Sequence, residues 1–181
     1  MTSVRQPLHR PLEELVAGLA LIAAAPRSAG TITMIVRRPT SGERDVLDVA
    51  DLDPIRGLLG DRWGAAAAPM IANQLTIMSS RVIELLSPER VFWPLAGDQI
   101  FADFDLSAAN VPPGTRLAVG GAVVEASAEP HNGCKKFRDR YGLDAVRFVG
   151  APERKHLQLR GINAIVVSAG RIGVGDAIRK L

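Results

Sequence analysis

Short apolar segments rich in β-branched residues, separated by turns, recur through most of this 181-residue chain. Its 17 glycines and 12 prolines supply the turns, because both residues interrupt helices and strands. Strands and helices do not alternate regularly. The pattern predicts a mainly β fold, a β-barrel of seven or eight short strands with a few short helices at its rim. The predicted strands include residues 31–36, 44–49, 74–78, 99–104, 116–119, 122–128 and 162–168.

The N-terminal segment has a different pattern, with apolar residues at helical spacing. This spacing predicts a helix that begins near Pro11 and ends at Pro26. We therefore expect an N-terminal helical extension, residues 1–28, packed on a barrel domain formed by residues 29–181. The apolar face of the predicted helix consists of Leu12, Leu15, Val16, Leu19 and Ile22.

The composition is that of a globular protein, with 47% apolar and 23% charged residues. The net charge of +3 is spread without a long basic stripe, so we expect no nucleic-acid partner. The longest apolar stretch, residues 15–25, is too short to span a bilayer, so we expect no membrane partner. Glu13 and Glu14 precede this stretch, where an export signal does not normally carry acid, so we expect a cytoplasmic protein.

The one cysteine of the chain lies in a strongly polar segment, EPHNGCKKFRDRY, at residues 129–141. Four basic residues follow Cys134 within six positions. A thiolate is both the nucleophile and the soft metal ligand, and nearby positive charge favours it. We expect the turn at residues 130–133 to present the sulfur at the start of a short helix, with His131 placed to orient or deprotonate it. The alternative is a buried and inert cysteine.

Six segments of the chain form an ordered set of motifs. They are GLLGDRW at residues 57–63, WPLAGDQ at 93–99, VPPGT at 111–115, EPHNGCKKF at 129–137, LRGINA at 159–164 and GRIGVGD at 170–176. In this order they resemble the MOSC domain, the C-terminal domain of molybdenum cofactor sulfurases. The resemblance extends from about residue 30 to the end of the chain. Each segment alone is a weak signal, whereas the ordered set is specific.

The resemblance implies a MOSC-like barrel, of the kind also found in pyruvate kinase, with a functional cysteine near its mouth. Cys134 would carry sulfur as a persulfide, or would ligate the metal of a molybdenum cofactor (molybdopterin), with His131 assisting at the thiol. The cofactor carries phosphate, for which basic side chains are plausible contacts. The alternatives are a solvated helix face for the basic residues and strand-end or turn roles for the others. The proposed cofactor contacts are Lys135, Lys136, Arg138, Arg160, Asn163 and Asp61.

The resemblance also implies partners. The chain has no room for a pyridoxal-phosphate desulfurase domain of its own, so we expect a separate cysteine desulfurase as sulfur donor. The expected acceptor is a molybdoenzyme or a metal–sulfur cluster. Two alternatives stay open: a molybdenum-dependent reductase of N-hydroxylated compounds, and a non-catalytic barrel that binds an anionic small molecule. Dinucleotide-binding, Walker, structural zinc and nucleophile-elbow motifs are absent from the sequence.

Overall fold

The computed structural model describes residues 6–181, and seven of its strands close into a mixed β-barrel. The predicted fold class, a mainly β MOSC-like barrel with a few short helices, is confirmed. The strands are β1 Ala29–Arg37, β2 Asp45–Leu47, β3 Val49–Asp53, β4 Gly57–Leu58, β5 Leu75–Ser79, β6 Ile100–Asp103, β7 Arg116–Val119, β8 Ala122–Ala126, β9 Ile162–Ser168, β10 Gly170–Gly173 and β11 Ala177–Lys180.

The barrel closes because β1 pairs with strands from both ends of the sheet. The order around it is β11-β7-β8-β9-β5-β6-β1, and β1 pairs with β11 to complete the ring. Only the β5–β6 pair in this ring is parallel; its other pairs are antiparallel. β2 extends the sheet beyond β1, and β10, β3 and β4 form a separate small sheet.

Helices cover one outer side of the barrel. α1 packs against α5, and α2 packs against α3. No helix of residues 6–181 combines the length and apolar character needed to cross a membrane. The helices are α1 Leu12–Ala17, α2 Leu19–Ala23, α3 Ser80–Leu86, α4 Lys135–Tyr141 and α5 Leu143–Gly150, with 3₁₀ segments at Ile71–Asn73, Arg90–Ala96 and Pro152–Leu157.

Two apolar clusters hold this arrangement together. Leu75 and Ile77 of β5 belong to the cluster inside the barrel, whereas Met78 and Phe101 belong to the cluster between the barrel and the helices. Alternate residues of a strand face opposite sides of the sheet, so a strand covered on both faces buries all of its residues. All five residues of β5 are accordingly buried.

The structure differs from the sequence prediction in three details. The single N-terminal helix is divided at Gly18, which approaches α3 so closely that a Cβ atom would lie 2.5 Å from Leu85 Cδ1 and would displace that side chain. The predicted strand at residues 44–49 is split between β2 and β3, which belong to different sheets. Residues 169–171, predicted as a turn, contain the start of β10. The domain division at residue 28 stays a prediction.

Candidate functional site

A polar loop, residues 127–134, connects β8 to α4 and carries Cys134. Asn163 of β9 anchors this loop, because its side-chain Nδ2 donates a hydrogen bond to the Glu129 carbonyl oxygen at 3.0 Å. The backbone N–H of Ser127 donates to the Asn163 carbonyl oxygen at 2.8 Å. Asn163 is buried, so its side chain ties the loop to the end of the barrel.

Cys134 is the residue immediately before α4, and it is exposed. α4 buries its two aromatic residues against the outer cluster and leaves Lys135, Lys136 and Arg138 exposed. Within residues 6–181, these three cationic side chains make no hydrogen bond or ion pair. The thiol therefore lies at the surface, next to unpaired positive charge.

The inner side of the same loop contacts a buried group of charges centred on Asp98. The side chain of Asp98 is fully buried, and its Oδ2 accepts a hydrogen bond from Arg160 Nη1 at 2.6 Å. Its Oδ1 lies 3.5 Å from His131 Nδ1. Arg160 is 5% exposed and stacks on Phe137, with 4.7 Å between the guanidinium carbon and the ring centroid. Asp98 was not singled out from the sequence, although it lies in the WPLAGDQ motif.

Three buried polar atoms in this group have no hydrogen-bond partner in the described chain: Asp98 Oδ1, His131 Nδ1 and Arg160 Nε. His131 and Asp98 would form an ion pair only if the imidazole were protonated. Burial, reinforced by the charges of Arg160 and Arg38, lowers the pKa of His131 to about 4, although the charge of Asp98 opposes this. His131 is therefore neutral at neutral pH.

Arginines converge on the backbone that precedes Asp98. Each of the four consecutive carbonyl oxygens of residues 94–97 accepts a hydrogen bond from a different arginine, in order Arg44, Arg140, Arg160 and Arg38. Burial lowers the pKa of Arg44, and the neighbouring positive charges of Arg140, Arg38 and the nearby Arg62 lower it further. Arg38 and Arg44 lie far from the cysteine in sequence, and no motif pointed to them.

Asp61 is a second fully buried carboxylate, and it holds Arg38. It accepts hydrogen bonds from the backbone N–H of Arg38 and from both Nε and Nη2 of its guanidinium, at 2.9–3.0 Å. Burial alone would raise the pKa of Asp61, but the hydrogen bonds and charge of Arg38 outweigh burial and lower it. Asp61 therefore positions an arginine at the site.

Two cavities lie on either side of residues 130–132. The large cleft, with a volume of about 560 Å³, is lined by Arg38, Arg62, Trp63, Asn163 and these loop residues, among others. The small cavity, of about 360 Å³, is lined by the same loop residues together with Val149 and Arg160. His131 lines both cavities, and Cys134 lines neither.

The eight residues proposed from the sequence thus fall into two groups. His131, Arg160 and Asn163 line the cavities, and Asp61 binds Arg38, which lines the large cleft; hydrogen bonds or close charges fix all four. The other group lies outside both cavities on the exposed surface around the start of α4. It consists of Cys134, Lys135, Lys136 and Arg138.

The comparisons with known proteins bear on the fold. No family model and no curated protein sequence matches this chain. Among solved structures, it is similar to the YuaD protein of Bacillus subtilis, with a TM-score of 0.62 and 18% identity over 85% of this chain and 96% of that one. YiiM of Escherichia coli has a TM-score of 0.54 and 17% identity, over 83% and 69% of the two chains.

A hypothetical protein of known structure is similar to a comparable degree, with a TM-score of 0.58 and 14% identity over 85% and 68% of the two chains. YuaD and YiiM are MOSC-domain proteins. At these identities the likeness establishes the fold alone. The chain therefore has the barrel fold of the MOSC class.

Proposed function

We propose that this chain is a MOSC-domain protein that carries sulfur on Cys134. The ordered motifs and the barrel fold support the assignment to this class. The observation that carries the sulfur role is the exposure of Cys134 on the loop that lines both cavities. The active-site loop of another protein can reach an exposed thiol, whereas it cannot reach a buried one.

The transfer step follows from thiol exchange chemistry. The Cys134 thiolate attacks the outer sulfur of a persulfide on a separate cysteine desulfurase, and the donor thiolate leaves. One sulfur–sulfur bond forms and one breaks, so no external oxidant or reductant is needed. Lys135, Lys136 and Arg138 stabilise the thiolate before attack and the persulfide anion afterwards. We propose a molybdoenzyme or metal–sulfur centre as acceptor, and a cytoplasmic setting for the transfer.

Mass spectrometry tests this proposal. Incubation with a pyridoxal-phosphate cysteine desulfurase and free cysteine should add the mass of one sulfur atom, and a reductant should remove it. Cys134→Ser should gain no sulfur, while its thermal unfolding stays unchanged. Failure of the unsubstituted protein to gain sulfur, with the desulfurase shown to be active on a known acceptor, would contradict the carrier role.

A second candidate is binding of a molybdenum cofactor, and the large cleft specifically favours it. The residues present fit such a group. Cys134 lies outside the cleft but would supply a soft ligand at the end of the loop that lines it, and the volume of about 560 Å³ lies in the usual range for ligand sites. The surrounding five arginines (Arg38, Arg44, Arg62, Arg140 and Arg160) outnumber the nearby carboxylates Asp61, Asp98 and Glu129.

In this candidate Arg62 is the phosphate contact, because its side chain lines the cleft and has no hydrogen bond or ion pair within the described residues. Asp61, Arg160 and Asn163 position the surrounding groups through the bonds that they already make. Lys135, Lys136 and Arg138 add positive charge outside the cleft. A bound cofactor would supply a redox-active metal, which the alternative reduction of N-hydroxylated compounds requires.

Molybdenum and pterin analysis of protein purified from its own host separates these possibilities. Retention of both, reduced in Arg62→Ala but not in the exposed neighbour Arg56→Ala, would support cofactor binding. Sulfur loading without bound molybdenum or pterin would support the sulfur-carrier role and would argue against cofactor binding. Absence of both properties would favour the third possibility, a non-catalytic barrel that binds an anionic small molecule.

A further inference from the structure

The small cavity lies behind the cysteine loop, between the end of α5, the 3₁₀ segment Pro152–Leu157 and residues 158–161. Its volume is about 360 Å³. That is room for a small molecule but not for a large cofactor. No motif in the sequence drew attention to the α5 side of this space, and the proposed sulfur transfer does not use it.

Two kinds of residue line the small cavity. Lys155 and Arg160 supply positive charge, and Gln158 supplies an amide. Val149 and Leu159 supply apolar surface. A ligand that matches this lining has one polar, negatively charged end and one short apolar end.

The charges at the cavity favour a ligand with one negative charge. The charge of Arg160 is balanced by Asp98, at 2.6 Å, although the buried Nε of the guanidinium has no partner. The side chain of Lys155 makes no hydrogen bond or ion pair within residues 6–181, so its charge is the unpaired one at this cavity. A dianion would exceed the unpaired positive charge, and a neutral ligand would form no ion pair with Lys155.

The backbone around the cavity is held in a fixed shape. Gln158 has a left-handed backbone conformation, with φ 48° and ψ 45°, and it is the one residue other than glycine with positive φ in the described chain. Its side-chain Nε2 donates to the carbonyl oxygens of Leu106 at 2.8 Å and Val111 at 3.3 Å. Such a conformation persists only where the surroundings enforce it. The cavity is therefore largely preformed.

The cavity is also close to the cysteine loop. A Cβ atom on Gly133 would lie 3.6 Å from Val149 Cγ2, so the residue before Cys134 packs against a side chain that lines the cavity. His131 lines it too, and is neutral at neutral pH. A molecule bound here would lie beside the segment that carries the reactive sulfur.

We propose that the small cavity binds a short-chain carboxylate. Its carboxylate accepts a hydrogen bond from Lys155, and its carbon chain contacts Val149 and Leu159. This deepens the proposed function by placing a small organic acid next to the sulfur-carrying loop. The binding itself does not depend on Cys134.

Butyrate is the probe for this site, with butyramide as its neutral analogue. Titration followed by NMR should shift the backbone amides of Gly150 and Gly161 saturably, and should leave that of the distant turn residue Gly114 unchanged. Butyrate should bind at least about tenfold more tightly than butyramide, because the uncharged amide cannot form an ion pair with Lys155. Equal binding of the two, or tighter binding of inorganic phosphate, would overturn the proposal.

Two variants locate the site. Gly150 lines the cavity and a Cβ atom there would have nothing within 4 Å, so Gly150→Leu adds bulk at the cavity without a clash and should weaken butyrate binding while the protein remains folded. Ala23→Leu, on the exposed end of α2, is the steric control. Lys155→Met should weaken binding about tenfold, and Lys136→Met should not. Unchanged binding in folded Gly150→Leu would overturn the proposal.

Cys134→Ser separates this proposal from the sulfur-carrier proposal. This variant should bind butyrate as the unsubstituted protein does, although it cannot carry sulfur. Loss of butyrate binding in folded Cys134→Ser would contradict a site formed by Lys155 and α5. Failure of sulfur loading alone would leave the carboxylate site intact.

Discussion

The charges on the inner side of the cysteine loop are buried and paired, whereas those on its outer side are exposed and unpaired in the described part of the chain. On the inner side, Asp98 and Arg160 form a buried ion pair, with Asp98 Oδ2 at 2.6 Å from the guanidinium. On the outer side, Lys135, Lys136 and Arg138 are exposed, and none has a side-chain partner within residues 6–181. Asp98, Arg160, Lys135 and Lys136 lie within the ordered motifs, and Arg138 directly follows one of them. The sequence alone does not distinguish the two groups.

This difference in burial predicts that the inner charges stabilise the fold and that the outer charges affect the reactivity of the thiol. A buried charge that loses its partner destabilises the fold strongly, because it remains desolvated without compensation. An exposed charge contributes little to stability, so it is free to act on a nearby thiol or ligand. We therefore expect substitutions on the inner side to change the free energy of unfolding, and substitutions on the outer side to change reactivity.

The largest effect is expected from Arg160→Met, which leaves the Asp98 carboxylate buried and unpaired. We expect a loss of about 3–5 kcal/mol in the free energy of unfolding, measured by urea denaturation. Arg138→Met is the matched control on the outer side and should change stability by less than about 0.5 kcal/mol. The double variant Asp98→Leu with Arg160→Met should recover much of the loss, because no charge is then buried. Equal effects of Arg160→Met and Arg138→Met would contradict the comparison.

The second effect is a pH dependence that originates at His131. Its imidazole faces Asp98, Arg160 and Arg38, and its pKa is about 4 in the folded protein against 6.5 in the unfolded chain. Between these values the unfolded chain binds more protons, so stability falls as pH decreases from about 6.5 to about 4. The contribution of His131 is at most about 3 kcal/mol.

Urea midpoints measured across this pH range test the expectation. His131→Gln should flatten the dependence, because glutamine does not titrate. The exposed His156→Gln retains His131 and should keep the fall in stability. A dependence of the same size in His131→Gln would show that the buried imidazole is not its source.

The barrel was predictable from the sequence, whereas the pairing of its charges was not. Strand periodicity is a local property, so short β-branched segments between glycines and prolines define the barrel strands without knowledge of contacts. The small sheet was largely missed, because β4 has two residues and β10 lies in the glycine-rich segment 170–176. The Asp61–Arg38 pair joins residues 23 positions apart, and neither residue type indicates its partner. The helix-start position of Cys134 was predictable, because a turn and helical spacing surround it.

A smaller effect is expected from Asn163→Ala, which removes the hydrogen bond from Nδ2 to the Glu129 carbonyl oxygen. A typical hydrogen bond of this kind contributes about 1 kcal/mol, so a loss of that order should appear in the urea midpoint. Amide hydrogen exchange of residues 129–133 should also become faster, because the loop loses its tether to β9. Asn132→Ala, on the exposed part of the same loop, should produce neither change. Unaltered exchange in Asn163→Ala would contradict the tether.

The smallest effect on stability is expected on the outer side, where reactivity should change instead. Replacing Lys135, Lys136 and Arg138 together by glutamine should alter the free energy of unfolding by less than about 0.5 kcal/mol per site. Sulfur transfer to Cys134 should slow by about three- to tenfold, because three positive charges near the thiolate are removed. The rate difference should shrink at high salt, since exposed charges are screened there. Arg171→Gln, an exposed arginine on β10, should leave the rate unchanged. A rate unaffected by the triple substitution at low salt would mean that the basic outer face of α4 does not assist the sulfur.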